Sequence, residues 1–220
     1  MSLYLKSTVL EKVPGIVHGF GTQQEPVPSI FSKYWDHRPK WKQVHGVAAA
    51  NVQSPMQECG EVDSLFTEKV QIPIGVVTAD CVPVLLAHQS GKKVAAVHAG
   101  WRGTYAHILE KLWMQLEREG EKANEWVAAI GPAIGSCCYE VSQELADQFV
   151  KEFSFFDQTR FLPKPRYLDL PALNAEVLKK IGIQEVDVLH YCTRCSQNPS
   201  FHSYRREGGG SRQLSILMKL

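Results

Sequence analysis

No stretch of this chain reaches eighteen consecutive apolar residues; the nearest, Ile72 to Ala87, is interrupted by Pro73, Asp80 and Pro83. A membrane-spanning helix is therefore not encoded. The opening Met-Ser-Leu-Tyr-Leu-Lys has no basic segment followed by a long apolar one, so no secretory signal is expected and the protein reads as soluble and cytoplasmic. Net charge is nearly absent, 24 Lys and Arg against 23 Asp and Glu. That lacks the basic excess with which a nucleic-acid-binding domain neutralises phosphates, although a local anion site stays compatible. Cysteine is sparse and irregular, six in 220 residues, which excludes a disulfide scaffold. In a reducing compartment, thiols at 59, 81, 137, 138, 192 and 195 are expected to be buried, catalytic or metal-bound. None of the eight histidines forms a His-x-His pair, so a multicopper centre built on clustered histidines is not expected, and copper is the less suitable metal.

What is present is an ordinary globular balance, 44% hydrophobic and 21% charged. At this length folding buries roughly 70% of the surface the open chain exposes, enough for a core without staples. No repeat or Gly/Ser-rich linker divides residues 1–220, which predicts a single domain. Apolar or β-branched runs predict strands at Ile74 to Ala79, Val84 to Ala87, Lys93 to Ala99, Trp126 to Ile130, Glu185 to His190 and Leu214 to Met218. Gln89 to Lys92 fits a hairpin loop. Helical periodicity marks Tyr105 to Glu119, Ser142 to Phe153 and Leu170 to Ile181, the last between Asp169 as N-cap and Gly182 as stop. Residues 62–99 hold strands without a crossover helix, which argues against a purely parallel sheet and for a mixed α+β fold.

Three segments combine ligating or nucleophilic side chains with small neighbours: Lys42 to Gly46, Val77 to Pro83 and Val97 to Thr104. Cys81 and His98 are each placed at the C-terminal end of an apolar strand, and His45 adjoins Gly46. Two histidines and a thiolate suit a borderline-soft ion such as Zn²⁺, and three protein ligands leave a fourth position for water or substrate. The intervals of 36 and 17 residues match no short zinc motif, so a buried cysteine and two hydrogen-bonded histidines is the competing reading. In His98-Ala-Gly-Trp-Arg102-Gly103-Thr104 the glycines and Thr104 precede a helix, whose exposed N–H groups, with the Arg102 fork, suit phosphate. A Thr-capped helix with a surface arginine is the plain alternative.

The lone Cys192-Thr-Arg-Cys195 reads as structural thiols rather than half a zinc site or a redox pair. Cys137-Cys138 reads as a packed turn. Gly208 to Gly210, amid Arg205, Arg206 and Arg212, is a surface loop that an anionic ligand could also occupy. Asp63 is either a turn residue or a carboxylate behind a metal ligand.

Taken together, these segments resemble the YfiH-type laccase-domain family, also described as purine nucleoside phosphorylases. The resemblance rests on Val17-His-Gly-Phe20, Gln43-Val-His-Gly46, Asp63 to Thr67, Thr78-Ala-Asp-Cys81, His98 to Gly103, Ile130-Gly-Pro132, Cys137 to Glu140, Phe201 to Arg206 and Arg212-Gln213. One departure lies at Gly21 to Pro28, which has neither the arginine nor the glycines usual there. The resemblance implies an α/β sandwich of mixed sheets with helices outside, and His45, Cys81 and His98 as a zinc triad. It implies phosphorolysis of adenosine, inosine, guanosine or methylthioadenosine to free base and ribose 1-phosphate, with adenosine deamination as a side activity. Arg102, Gly103, Thr104 and Gln43 are the expected phosphate or substrate contacts, and Asp80 the candidate for proton transfer or ligand orientation. A metal-free cysteine hydrolase or amidase using Cys81 and His98 is the rival enzyme; a peptidoglycan quality-control role is the other alternative.

Overall fold

The computed structural model describes residues 3–220. Its elements in chain order are β1 (Ile16–Phe20), β2 (Lys40–Lys42), β3 (Ala49–Asn51), β4 (Glu58–Glu61), β5 (Ser64–Thr67), β6 (Ile74–Thr78), β7 (Val82–His88), β8 (Val94–Ala99), α1 (Trp101–Tyr105) and α2 (Ile108–Arg118). There follow β9 (Trp126–Ile130), α3 (Gln143–Glu152), α4 (Gln158–Phe161), α5 (Leu170–Ile181), β10 (Glu185–Val188), α6 (Tyr204–Glu207) and β11 (Gln213–Lys219). A 3₁₀ segment, Ser29–His37, precedes β2. No helix among the described residues is long and apolar enough to cross a membrane.

Six strands form the main sheet in the order β10-β9-β7-β8-β5-β3. The outer strands β10 and β3 run parallel to their neighbours and the inner pairs antiparallel, so the sheet is mixed. Strand alternation sends Val84, Leu86, Ala95 and Val97 towards α2, α3 and α5, and Leu85, Ala87, Val94 and Ala96 towards a second, antiparallel sheet, β1-β11-β6. With both faces covered, β7 and β8 are buried along their whole length, which is why they read as continuous apolar runs. Phe31 of the 3₁₀ segment packs with Leu214, Ile216 and Met218 on the far face of the small sheet. The result is the expected α/β sandwich of mixed sheets with helices outside.

Sequence-predicted β7 and β8 form their hairpin through Gln89 to Lys92, where Gly91 takes φ +72°. A Cβ there would meet the Pro14 carbonyl oxygen at 2.1 Å, so only glycine fits. Helix α5 has the predicted bounds: Asp169 Oδ1 accepts from Ala172 N at 2.9 Å, and Gly182 closes the helix at φ 113°. The periodic stretch from Tyr105 is the exception. Its buried set, Ile108, Leu109, Leu112, Trp113 and Leu116, is as expected, but the helix is broken at His107, which is left-handed at φ 62°. The imidazole is held there by Glu110 (2.9 Å) and Glu152 (2.8 Å). The break frees the five residues of α1 to take their own direction directly after β8.

Candidate active site

His98 is the penultimate residue of β8, and Asp63 lies just before β5, its antiparallel neighbour. The His98 N–H donates to the Asp63 carbonyl at 2.8 Å, and the two side chains meet with His98 Nδ1 2.7 Å from Asp63 Oδ1. The same carboxylate accepts N–H groups from Val44 (3.2 Å), His45 (3.0 Å) and Gly46 (2.7 Å). These bonds wrap residues 44–46 around Asp63 and hold His45 in the left-handed region, φ 60°. Its ring then faces that of His98, centroids 4.9 Å apart. Burial pushes the Asp63 carboxyl up, but the His98 ring and the Gly46 and Val44 N–H groups pull it down further, so it stays ionised. An ionised Asp63 takes the Nδ1 proton of His98 as a hydrogen bond and leaves Nε2 free as a ligand.

Cys81 is not at the end of a strand as predicted. It lies in the crossing between β6 of the small sheet and β7 of the large one. The crossing turns at Asp80, whose φ of 89° is rare for a residue with a side chain. The ligating atoms of His45, Cys81 and His98 lie within 4.8 Å of one another. Burial raises the Cys81 thiol pKa, but hydrogen bonds with His45 and His98 bring it down to about 7. Burial lowers His98, and the bonds to Asp63 and Cys81 raise it, to about 9. Gly100 closes the back of this cluster: a Cβ would stand 3.0 Å from Cys81 Sγ and 3.4 Å from His45 Cδ2. Two imidazoles, one readily ionised thiol and an orienting carboxylate make a donor set that fits a divalent ion such as zinc.

His45, Cys81 and His98 line a cleft of about 800 Å³. Trp41, Trp101, Tyr139 and Tyr204 give it aromatic walls, and Arg102, Arg205 and Arg212 line it with positive charge. The Arg102 guanidinium stacks over the Trp101 ring at 4.6 Å and has no carboxylate partner among the described residues. Burial drives the Tyr139 phenol up to about 12, which keeps it protonated. Thr78 Oγ1, on the wall, is buried with no hydrogen-bond partner among the described residues.

The other predicted residues are placed unequally. Gln43 lines the cleft, but its amide is engaged at both ends by the Val77 backbone (2.9 and 2.7 Å). Gly103 and Thr104 lie inside α1 rather than before a helix, are buried, and do not line the cleft. The Thr104 N–H bonds Gly100 O, and its hydroxyl joins Asn174 of α5. Both oxygens of Asp80 are engaged, one by the Thr193 hydroxyl (2.6 Å), the other by the Arg205 N–H (2.7 Å). Asp63, left open by the sequence, is the carboxylate that holds His45 and His98. Of the arginines around the glycine run, 205 and 212 face the cleft, whereas Arg206 is tied to the carbonyls of Thr193 and Arg194. None of residues 21–28 lines it, so the divergent loop stands apart. The aromatic walls carried no local signal, since isolated Trp and Tyr are read first as core.

Residues 33–219 match the model of the family described as multi-copper polyphenol oxidoreductase laccase, and the chain belongs to that YfiH-type family. It is 36% identical over 180 residues to a protein of Clostridium acetobutylicum named purine nucleoside phosphorylase, spanning 81% of this chain and 75% of that one. It is also 38% identical over 152 residues to adenosine deaminase RL5 of an unknown prokaryote, spanning 67% of this chain and 58% of that one. The crystal structure of Bacillus licheniformis hypothetical protein YfiH superposes with a TM-score of 0.79 over 93% of both chains, at 24% identity.

Proposed function

We propose that this protein is a zinc-dependent purine nucleoside phosphorylase. It would convert adenosine, inosine, guanosine or methylthioadenosine and phosphate to the free base and the corresponding ribose 1-phosphate, and deaminate adenosine as a side activity. The observation that carries this reading is that the three metal donors and three guanidinium groups open on one aromatic-walled cleft. When bound, zinc supplies a Lewis acid that polarises oxygen donors and stabilises negative charge. The protein's own groups supply the rest. The aromatic rings offer faces on which a purine stacks. Arg102, free of any carboxylate partner, holds phosphate where its oxygen can approach the anomeric carbon. In phosphorolysis that C–O bond forms as the C–N bond breaks, and the bonding pair leaves with the base, which takes up a proton. Tyr139, held protonated, offers a hydrogen-bond donor on the cleft wall. Asp80 acts as a positioning residue, because its oxygens already fix Thr193 and Arg205.

One observation favours a second reading. Asp63, His98 and Cys81 stand in line as carboxylate, imidazole and thiol, which is the order of a cysteine hydrolase. The third donor, His45, beside Cys81 and His98 favours the metal instead. Chromatography of products from adenosine, with and without phosphate, on metal-analysed protein tests the proposal. The expected result is adenine and ribose 1-phosphate only when phosphate is present, with inosine formed either way and both lost on zinc removal. Turnover by zinc-free protein would support the cysteine enzyme.

A further inference from the structure

The four cysteines that the catalytic reading leaves aside come together at the surface. Cys137 and Cys138 belong to the loop after β9, Cys192 and Cys195 to the segment after β10. The two stretches dock through a bridge between Ala133 and Cys192, with the Ala133 N–H donating to Tyr191 O (3.3 Å) and the Thr193 N–H to Ala133 O (3.0 Å). Docking brings all four sulfurs within 4.8 Å of one another, Cys137 Sγ and Cys195 Sγ being 3.6 Å apart. This corrects the expectation of separate packed thiols: Cys137 and Cys195 are exposed, where burial cannot explain them, since free cysteine normally seeks the interior. Four sulfurs at tetrahedral positions about 2.3 Å from a zinc ion stand about 3.8 Å apart, so a closure of at most about 1 Å brings the cluster to bonding geometry.

Two further features point to a cation. The Cys192-Thr-Arg-Cys195 turn aims the N–H groups of Arg194 and Cys195 back at Cys192 Sγ, and Gly135 N adds a third at 3.4 Å. N–H groups converging on one sulfur are outer contacts of the kind that orient a ligand in a metal site. A tetrathiolate zinc centre keeps a net negative charge, and Arg194 and Arg205 line the depression beside Cys138, together with an Arg166–Glu140 ion pair (2.7 Å).

We propose that Cys137, Cys138, Cys192 and Cys195 form a second metal site, a closed four-thiolate site for zinc with a structural role. The ion would fasten the loop that carries Ile134 and Tyr139, both lining the cleft, to the segment whose Thr193 holds Asp80. It would set the shape of one cleft wall without touching substrate.

The test is zinc per folded chain, measured by non-denaturing mass spectrometry on protein purified without chelator. Wild type should carry two ions, Cys81→Ala one, and the Cys192→Ser/Cys195→Ser variant one. X-ray absorption on Cys81→Ala should show four sulfur neighbours at about 2.3 Å, a readout independent of whether the double variant folds. A wild type with a single ion that Cys81→Ala loses would overturn the assignment. So would a nitrogen or oxygen shell in that variant, or a disulfide among the four cysteines in freshly alkylated protein. A single ion lost only in the double variant would support this site and count against the triad.

Discussion

Both oxygens of Asp63 collect N–H groups from residues 44–46 while one of them also meets His98, so two of the three proposed ligands are placed by a single buried side chain. Arg102 has the opposite character, a cleft cation stacked on Trp101 with no carboxylate partner among the described residues. Hydrogen bonds to charged groups contribute about 1.5–3 kcal/mol each. Arg102→Ala should therefore slow phosphorolysis at least about tenfold and leave deamination little changed. The check is the inosine-to-adenine ratio formed from adenosine at fixed phosphate and equal zinc occupancy, which should rise by that factor. An unchanged ratio with intact rates would place Arg102 outside the reaction. A second residue-scale prediction concerns His18, buried in β1, where burial lowers its pKa from 6.5 to about 4 and Nε2 accepts the Ser7 N–H at 2.8 Å. The unfolded chain binds this proton more readily, so the contribution is complete above pH 6.5 and is lost as pH falls towards 4. Between pH 7 and pH 5 the loss is about 2 kcal/mol. His18→Gln, which keeps an acceptor but does not titrate, should lessen the fall in urea stability over that interval by this amount. An identical fall in both proteins would remove His18 as its source.

Among the elements, the hairpin of β7 and β8 is fixed at its turn end by an ion cluster around a buried lysine. Lys93 Nζ, with its side chain only 2% exposed, contacts Glu68 (2.9 Å), Glu119 (2.8 Å) and Glu121 (3.2 Å), and Glu121 also accepts from Trp126. Lys93→Met leaves Glu121 buried without this partner and should cost about 3–5 kcal/mol in chemical denaturation. A loss below about 1 kcal/mol would show that Lys92, 3.1 Å from Glu121, compensates. How far the elements could be read from sequence follows from their size. β7 to β9, α3 and α5 carry enough apolar positions and caps for pattern to locate them. β2 to β5 have three or four residues each, β2 and β4 are largely charged, and their pairings join distant segments. The break at His107 rests on contacts to Glu110 and Glu152, the second on α3, which periodicity does not register.

At the scale of the whole molecule, three segments separated by 36 and 17 residues meet only because β5 and β8 pair and the chain crosses between sheets at Cys81. The sequence names the proposed ligands, but their convergence is a property of the sandwich. The same holds more strongly for the four-cysteine cluster, whose halves look unremarkable until the loops after β9 and β10 dock. The central claim, a zinc-bearing His45–Cys81–His98 site that performs phosphorolysis, is tested most directly on one substitution. Cys81→Ala removes a charged ligand while leaving the fold's packing nearly intact. Zinc per chain and adenine release from adenosine with phosphate are measured together on variant and wild type. The account predicts a folded variant with one zinc ion fewer and phosphorolysis abolished; a variant that keeps the full zinc complement and normal adenine release would contradict it.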